Sequence, residues 1–239
     1  MAKLSKSSND AKLRFYFFST FYCQNIFYFC TLNNKFSRIG NLRRSMNPVI
    51  TSEEVAQMPV EIFAGRIIVI QSEKEMNKAI DYLKTQPVIG FDTETKPNFK
   101  KGSRNKVALM QLSTADSCFL FRLNYVGFSP GLKELLASPK IKKIGLSIKD
   151  DFGSLRRMAN FVPKGFVDLQ DIVLKYNIQE KSLQKIYAIL FGKRISKNQQ
   201  LSNWEKDILT DAQKMYAATD AWACYRIYKK LRDCESSPQ

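Results

Sequence analysis

Two hydrophobic periods alternate along this chain, and each change of period marks an element boundary. Short apolar runs rich in Ile, Val, Phe and Leu predict strands near Arg66–Ile70, from Pro87 to an end at Asp92, over Lys106–Ser113 and over Ser117–Arg122. The link Thr114-Ala115-Asp116 between the last two is short, which suits antiparallel neighbours. Residues 141–148 read as a further strand and Phe166–Asp168 as a brief one. Helical spacing follows the capping box Ser72-Glu73-Lys74-Glu75, and returns near 131–137, from about Lys149 to Ala159, and over 169–176 and 183–191. A last helix opens at Thr210-Asp211-Ala212-Gln213 and runs to about Leu231. This order predicts an α/β fold with a mixed sheet in a single domain.

Acidic residues fall at the edges of these elements. The run Val88-Ile89-Gly90-Phe91 gives way to Asp92-Thr93-Glu94, and strand alternation turns both carboxylates the same way, with Thr93 opposed. Two carboxylates so placed repel each other unless a cation lies between them, and oxygen-only ligands suit Mg²⁺ or Mn²⁺ better than zinc. The same triplet is also what a polar strand end looks like. On the last helix Tyr216 and Asp220 stand one turn apart on one face. Ala217, Ala218, Ala221 and Ala223 keep that helix slim enough to approach a sheet, although an amphipathic helix with a polar rim has the same pattern. Asp150 and Asp151 occupy a helical first turn, where the dipole favours acids whatever their function. Asp168 reads as a helix N-cap or as support for a site.

Composition narrows the chemistry. The chain has no histidine, which excludes Ser-His-Asp and Cys-His nucleophilic sites, His-Glu-x-x-His metalloproteases and Cys₂His₂ fingers. No Gly-x-x-x-x-Gly-Lys-Ser/Thr sequence is present, so ATP-driven motors of that type are excluded too. A net charge of +16 favours a polyanionic partner. Residues 1–45 hold eight Lys/Arg and one acid, leaving 30 basic and 21 acidic residues beyond them, so the body is basic in its own right. Lys96, Phe99, Lys100, Lys101, Arg104 and Lys106 crowd the segment after the first acidic motif, the mixture of cations and an aromatic used for single-strand binding. A solvated loop between two strands would look the same. A second group, Lys193, Arg194 and Lys197, precedes Trp204, which reads as core.

Five segments together resemble the DEDDy-type 3′–5′ exonucleases, in the branch that includes RNase D and the Werner syndrome exonuclease domain. They are Phe91-Asp92-Thr93-Glu94-Thr95, Val107-Ala108-Leu109-Met110-Gln111-Leu112-Ser113, Ile144-Gly145-Leu146-Ser147-Ile148-Lys149-Asp150-Asp151, Leu201-Ser202-Asn203-Trp204-Glu205 and Tyr216-Ala217-Ala218-Thr219-Asp220-Ala221-Trp222. The resemblance covers roughly residues 65–231. It implies a ribonuclease-H-like fold and two divalent cations, Mg²⁺ or Mn²⁺, with Asp92 bridging them, Glu94 and Asp220 completing the inner site and Asp151 holding the outer one. Tyr216 would orient the attacking water, and the family pattern selects Asp151 over Asp150. The implied reaction releases nucleoside 5′-monophosphates from the 3′ end of single-stranded or 3′-recessed nucleic acid, DNA slightly favoured over RNA. The other class to weigh is a catalytically weak nucleic-acid-binding module that keeps the fold as a scaffold.

The expected domain order is an upstream extension over 1–45, a lead-in over 46–64, the exonuclease domain over 65–232 and a tail over 233–239. Residues 1–45 contain ten Phe or Tyr and an uncharged span between Arg14 and Lys35, interrupted by Ser19, Thr20, Gln24, Asn25, Asn33 and Asn34. Met46 reads as the true start and the residues before it as translated upstream or disordered sequence, with a targeting or anchoring segment as the alternative. No stable membrane partner is expected. The five cysteines lack a Cys-x-x-Cys pair; Cys118 and Cys224 read as small core residues in a reducing, cytoplasmic setting.

Overall fold

The computed structural model describes residues 48–97 and 106–235, all within one compact unit, Met46–Ser237. Its elements are α1 (Ser52–Ala56), β1 (Arg66–Ile70), α2 (Glu73–Lys84), β2 (Val88–Thr95), β3 (Val107–Ser113), β4 (Ser117–Arg122), α3 (Leu123–Val126) and α4 (Pro130–Ala137). They continue with β5 (Lys142–Gly145), α5 (Ile148–Met158), β6 (Phe166–Asp168), α6 (Leu169–Val173), a 3₁₀ turn (Leu174–Tyr176), α7 (Leu183–Phe191) and α8 (Asp211–Glu235). The sheet order is β1-β4-β3-β2-β5-β6. β4, β3 and β2 pair antiparallel, while β1 joins β4, and β5 joins β2 and β6, in parallel, so the sheet is mixed as the residue pattern predicts.

β3 and β4 are buried along their whole length, which is why they read as continuous apolar runs. One sheet face packs on α2, α4 and α5 through Ile89, Phe91, Met110, Leu112, Leu83, Leu135 and Leu155. The other face receives α8. Its Ala217, Ala218 and Ala221 have no exposed surface, and they let the helix settle directly on β2. The contact is closest at Gly90, where a Cβ would stand 1.9 Å from the Ala221 carbonyl oxygen. Any side chain there would push the helix off the strand two residues before Asp92.

Both predicted capping boxes form. Ser72 Oγ accepts from Glu75 N at 3.3 Å while Glu75 accepts from Ser72 N, and Thr210 and Gln213 exchange the equivalent bonds. Four boundaries differ from the expected ones. β2 does not end at Asp92 but runs to Thr95, because Asp92, Thr93 and Glu94 stay in register with Gln111, Met110 and Leu109 of β3. The strand expected to reach Ile148 stops at Gly145, since Ser147 takes a left-handed conformation (φ 55°) that turns the chain into α5. The helix expected over 169–176 divides into α6 and the 3₁₀ turn, closed by Asn177 at φ 63°. The last helix extends to Glu235.

Two buried cations, Lys143 and Arg122, have no counterpart in the sequence expectations. Lys143 on β5 is fully buried and donates from Nζ to the carbonyl oxygens of Ser138 (2.6 Å) and Leu135 (3.4 Å), satisfying the end of α4. Burial lowers its pKa to about 8. Among the described residues no helix is long and apolar enough to cross a membrane. The expectations for residues 1–45 lie outside the described residues.

Candidate active site

Strand alternation on β2 carries Gly90, Asp92 and Glu94 to the face that α8 covers, and α8 brings Tyr216 and Asp220 down onto it. Carboxylate oxygens of Asp92, Glu94 and Asp220 all lie within 4.8 Å of one another. They line a cleft of about 280 Å³ together with Tyr216, Leu146, Gln184 and Lys197. Four of the five residues expected at the site therefore converge.

Asp151 stands slightly apart. It is not among the three converging carboxylates; its Oδ1 accepts from the Thr93 hydroxyl at 2.5 Å, on the residue between Asp92 and Glu94. Its charge nevertheless reaches both Asp92 and Glu94. Asp150, the other acid of that turn, is exposed. Asp168 explains how α5 is aimed. Its two carboxylate oxygens accept from the backbone N–H of Ser147 and of Ile148, both at 3.1 Å, and Oδ1 also caps α6 through Gln170 N at 3.0 Å. One side chain thus fastens two helix starts: it is the expected N-cap of α6 and also holds the start of α5, which carries Asp151.

The electrostatics are those of acids crowded together with too little compensation. Burial, then the charges of Asp220 and Asp151, push Asp92 well above its ordinary pKa. Burial and the charges of Asp92, Asp220 and Asp151 bring Glu94 to about 10. Burial raises Asp220 to about 7, against a hydrogen bond from Tyr216 and the charge of Lys197, and raises Asp151 to about 6 against the Thr93 bond. The Tyr216 phenol is pushed upward by burial and by Asp220 and Glu94, so it keeps its proton and acts as a donor. Oxygen donors at this density fit a hard divalent cation, whose charge would remove the repulsion.

Tyr216 is backed by Trp204, which is fully buried with its ring centroid 6.0 Å away. The loop that carries Trp204 is tied down by Gln213 Nε2 to the Asn203 carbonyl oxygen at 3.2 Å, and by fully buried Arg122, whose guanidinium donates to the carbonyl oxygens of Asp207 (3.2 Å) and Lys206. Arg122 was missed in the sequence, where it is simply the last residue of a strand. Gln111 was missed as well. It pairs with Asp92 across β2 and β3, is fully buried, and neither polar atom of its amide has a protein partner.

The basic residues divide. Lys96 forms an ion pair with Glu205 at 3.4 Å, and Lys106 is exposed at the start of β3. Phe99, Lys100, Lys101 and Arg104 lie outside the described residues. In the second group, Lys193 is committed to Glu61 at 2.9 Å, whereas Lys197 lines the cleft. Cys118 and Cys224 are buried free thiols, as expected.

A mixed sheet of this topology with its flanking helices is a ribonuclease-H-like domain. It superimposes on the EXO domain of Aedes aegypti Nibbler with a TM-score of 0.67 at 22% identity, covering 73% of this chain and 92% of that one. For Escherichia coli RNase D the TM-score is 0.63 at 20% identity, over 70% of this chain and 44% of that one. Residues 67–234 match the 3′–5′ exonuclease family, and the chain belongs to that family. It is 39% identical over 158 residues to the bifunctional 3′–5′ exonuclease/ATP-dependent helicase WRN of Mus musculus, a match spanning 64% of this chain but only 11% of that protein. A 3′–5′ exonuclease of Arabidopsis thaliana is 28% identical over 221 residues, covering 81% of this chain and 77% of its own length.

Proposed function

We propose that this protein removes nucleotides from the 3′ end of single-stranded or 3′-recessed nucleic acid by hydrolysis at two divalent cations, Mg²⁺ or Mn²⁺. The observation that carries this reading is the convergence of Asp92, Glu94 and Asp220 in the wall of the cleft, with Asp151 in electrostatic reach. Asp92 would contact both cations, Glu94 and Asp220 would complete one site, and Asp151 would serve the other. When bound, the cations supply stabilisation of the negative charge that develops on the phosphoryl and leaving oxygens, and they lower the pKa of a coordinated water. Tyr216 holds the attacking water with a hydrogen bond rather than taking its proton, since its own pKa is displaced upward. Trp204 fixes the phenol ring, and Lys197 contributes positive charge at the mouth of the cleft.

DNA is slightly favoured over RNA as the substrate; the RNase D of Trypanosoma brucei, which shares the fold, has been crystallised with RNA U12. The test uses 5′-labelled single-stranded DNA and RNA of one sequence, each with Mg²⁺, Mn²⁺ or EDTA. The expected result is a cation-dependent ladder that shortens from the 3′ end and is absent in Asp92→Ala. Binding of both strands without cleavage under every cation condition would replace this reading with that of a scaffold that binds nucleic acid.

A further inference from the structure

We propose that the segment before β1 builds a second, basic cavity that continues the acidic cleft and holds the sugar–phosphate backbone of a single strand upstream of its 3′-terminal nucleotide. The inference rests on the exonuclease reading for the direction of the strand, and on the following geometry for the site itself.

The acidic cleft and a cavity of about 340 Å³ share Ser182, Gln184 and Lys197 as wall residues, so the two spaces adjoin. Beyond that shared wall the cavity is lined by Ser52, Val55 and Ala56 of α1 and by Lys185 and Arg194. Three cations line it and no carboxylate does, the reverse of the cleft it continues. A polynucleotide has the matching asymmetry: the reacting phosphate needs the acid-held cations, and the phosphates behind it need positive charge.

The cations are placed for use. Arg194 spends Nε on the Met58 carbonyl oxygen at 3.1 Å, and within the described residues its two terminal nitrogens have no hydrogen bond to protein. Lys197 is exposed and, among the described residues, donates to the Ser182 hydroxyl alone, at 3.3 Å. Lys185 shares its charge with Glu180 at 3.2 Å and is the weakest of the three.

The α1 wall is fixed in place. Arg194 N donates to the Pro59 carbonyl oxygen at 3.0 Å and Glu61 N to that of Arg194 at 2.8 Å. Gln179 N donates to the Pro48 carbonyl oxygen at 2.8 Å, and Ile50 N to Glu180 Oε1 at 3.0 Å. α1 lies outside the 67–234 match to the family, so this wall belongs to the chain's own lead-in. The second basic group noted in the sequence thus has two roles: Lys193 clamps the lead-in through Glu61, while Arg194 and Lys197 face the strand path.

The test is made on the full chain. Affinity for a 5′-fluorescein 12-nucleotide single strand is measured by anisotropy in EDTA across a salt series, and hydrolysis of the p-nitrophenyl ester of thymidine 5′-monophosphate, which has no upstream backbone, is measured with Mn²⁺. Arg194→Gln combined with Lys185→Gln is expected to weaken the 12-mer roughly tenfold and to make the slope of log K against log salt shallower by about 0.7 for each phosphate that is no longer neutralised. Ser52→Glu puts an anion on the α1 wall at an exposed first-turn position where the helix dipole favours acids, and is expected to weaken the 12-mer roughly fivefold with folding unchanged. Ester hydrolysis should stay at the wild-type rate in both, and Lys140→Gln, an exposed lysine outside both cavities, should change neither readout. Wild-type affinity and salt slope in both Ser52→Glu and the double variant would overturn the proposal. Failure of wild type to hydrolyse the ester or the 12-mer would instead overturn the exonuclease reading, because the binding comparison needs no turnover.

Discussion

Two carboxylate centres in this molecule behave oppositely. Glu61 accepts from the Tyr187 hydroxyl at 2.6 Å and pairs with Lys193 at 2.9 Å and Arg226 at 3.0 Å, and Arg226 also donates to the Tyr187 hydroxyl at 2.7 Å. Burial alone would raise its pKa, but these bonds outweigh burial and hold it below the usual value. Glu94 and Asp220 are buried and Asp92 half-buried, yet the groups that face them are mostly further carboxylates, and all three are pushed upward. The first centre is complete within the protein and ties the lead-in to α7 and α8. The second is built with a deficit of positive charge. Buried like charges stay ionised only where something compensates them and otherwise take up protons, so a deficit of this kind marks a candidate site rather than a structural ion pair.

The largest separation between the centres should come from Asp92→Asn. On the proposed reading Asp92 would serve both cations, so its loss would remove several kcal/mol of transition-state stabilisation, a fall in kcat of roughly a thousandfold or more. The same change removes one of the repelling charges, so the melting temperature in EDTA at pH 8 should rise above that of wild type. Retained hydrolysis, or a lower melting temperature, would undo the contrast.

Next in size is the response to cation and pH. Asp151, Asp220 and Glu94 titrate at about 6, about 7 and about 10 in the folded protein, all above their unfolded values. A raised acid favours the folded state while protonated. Without cation, the stability from these groups is therefore full below about pH 4 and is lost as pH climbs through 6, 7 and 10. Mn²⁺ or Mg²⁺ should restore it, by about 2.7 kcal/mol at a hundredfold excess over Kd, and more at pH 8 than at pH 5 where protons compete. Thermal melts with and without EDTA at the two pH values check this; a cation shift no larger at pH 8 would count against the site.

The smallest effect, of opposite sign to the first, is expected for Glu61→Gln. It leaves Lys193 and Arg226 without their anion and should lower stability by about 1–2 kcal/mol, read from a denaturant midpoint, with no recovery on adding cation. A neutral result would mean that the clamp on the lead-in is made by the backbone bonds alone.

Much of this was legible in the residue order. Capping boxes at Ser72 and Thr210 mark helix starts because their partners are three residues away, and the alternation of Asp92, Thr93 and Glu94 assigns faces because a strand has period two. The pairing of Tyr216 with Asp220 follows from one helical turn. These are local rules, and they hold whatever the rest of the chain does. They fail where the deciding contact is distant. Nothing near Ser147 announces its left-handed turn, which is held by Asp168 twenty-one residues later. The run of β2 past Asp92 is decided by β3, and Glu61, 132 residues away in the chain, decides that Lys193 forms an ion pair.

The sequence by itself determined the elements, their order, the family resemblance and the acids offered to the site, because periodicity and residue chemistry are properties of short segments. Only the tertiary structure decided that three of those acids meet within 4.8 Å while Asp151 hangs on Thr93. It also decided that Gly90 lets α8 reach the strand, and that the lead-in closes a basic cavity beside the cleft. Each of these depends on packing between segments far apart in the chain, where side-chain volume and burial, rather than local spacing, set which charges are neighbours.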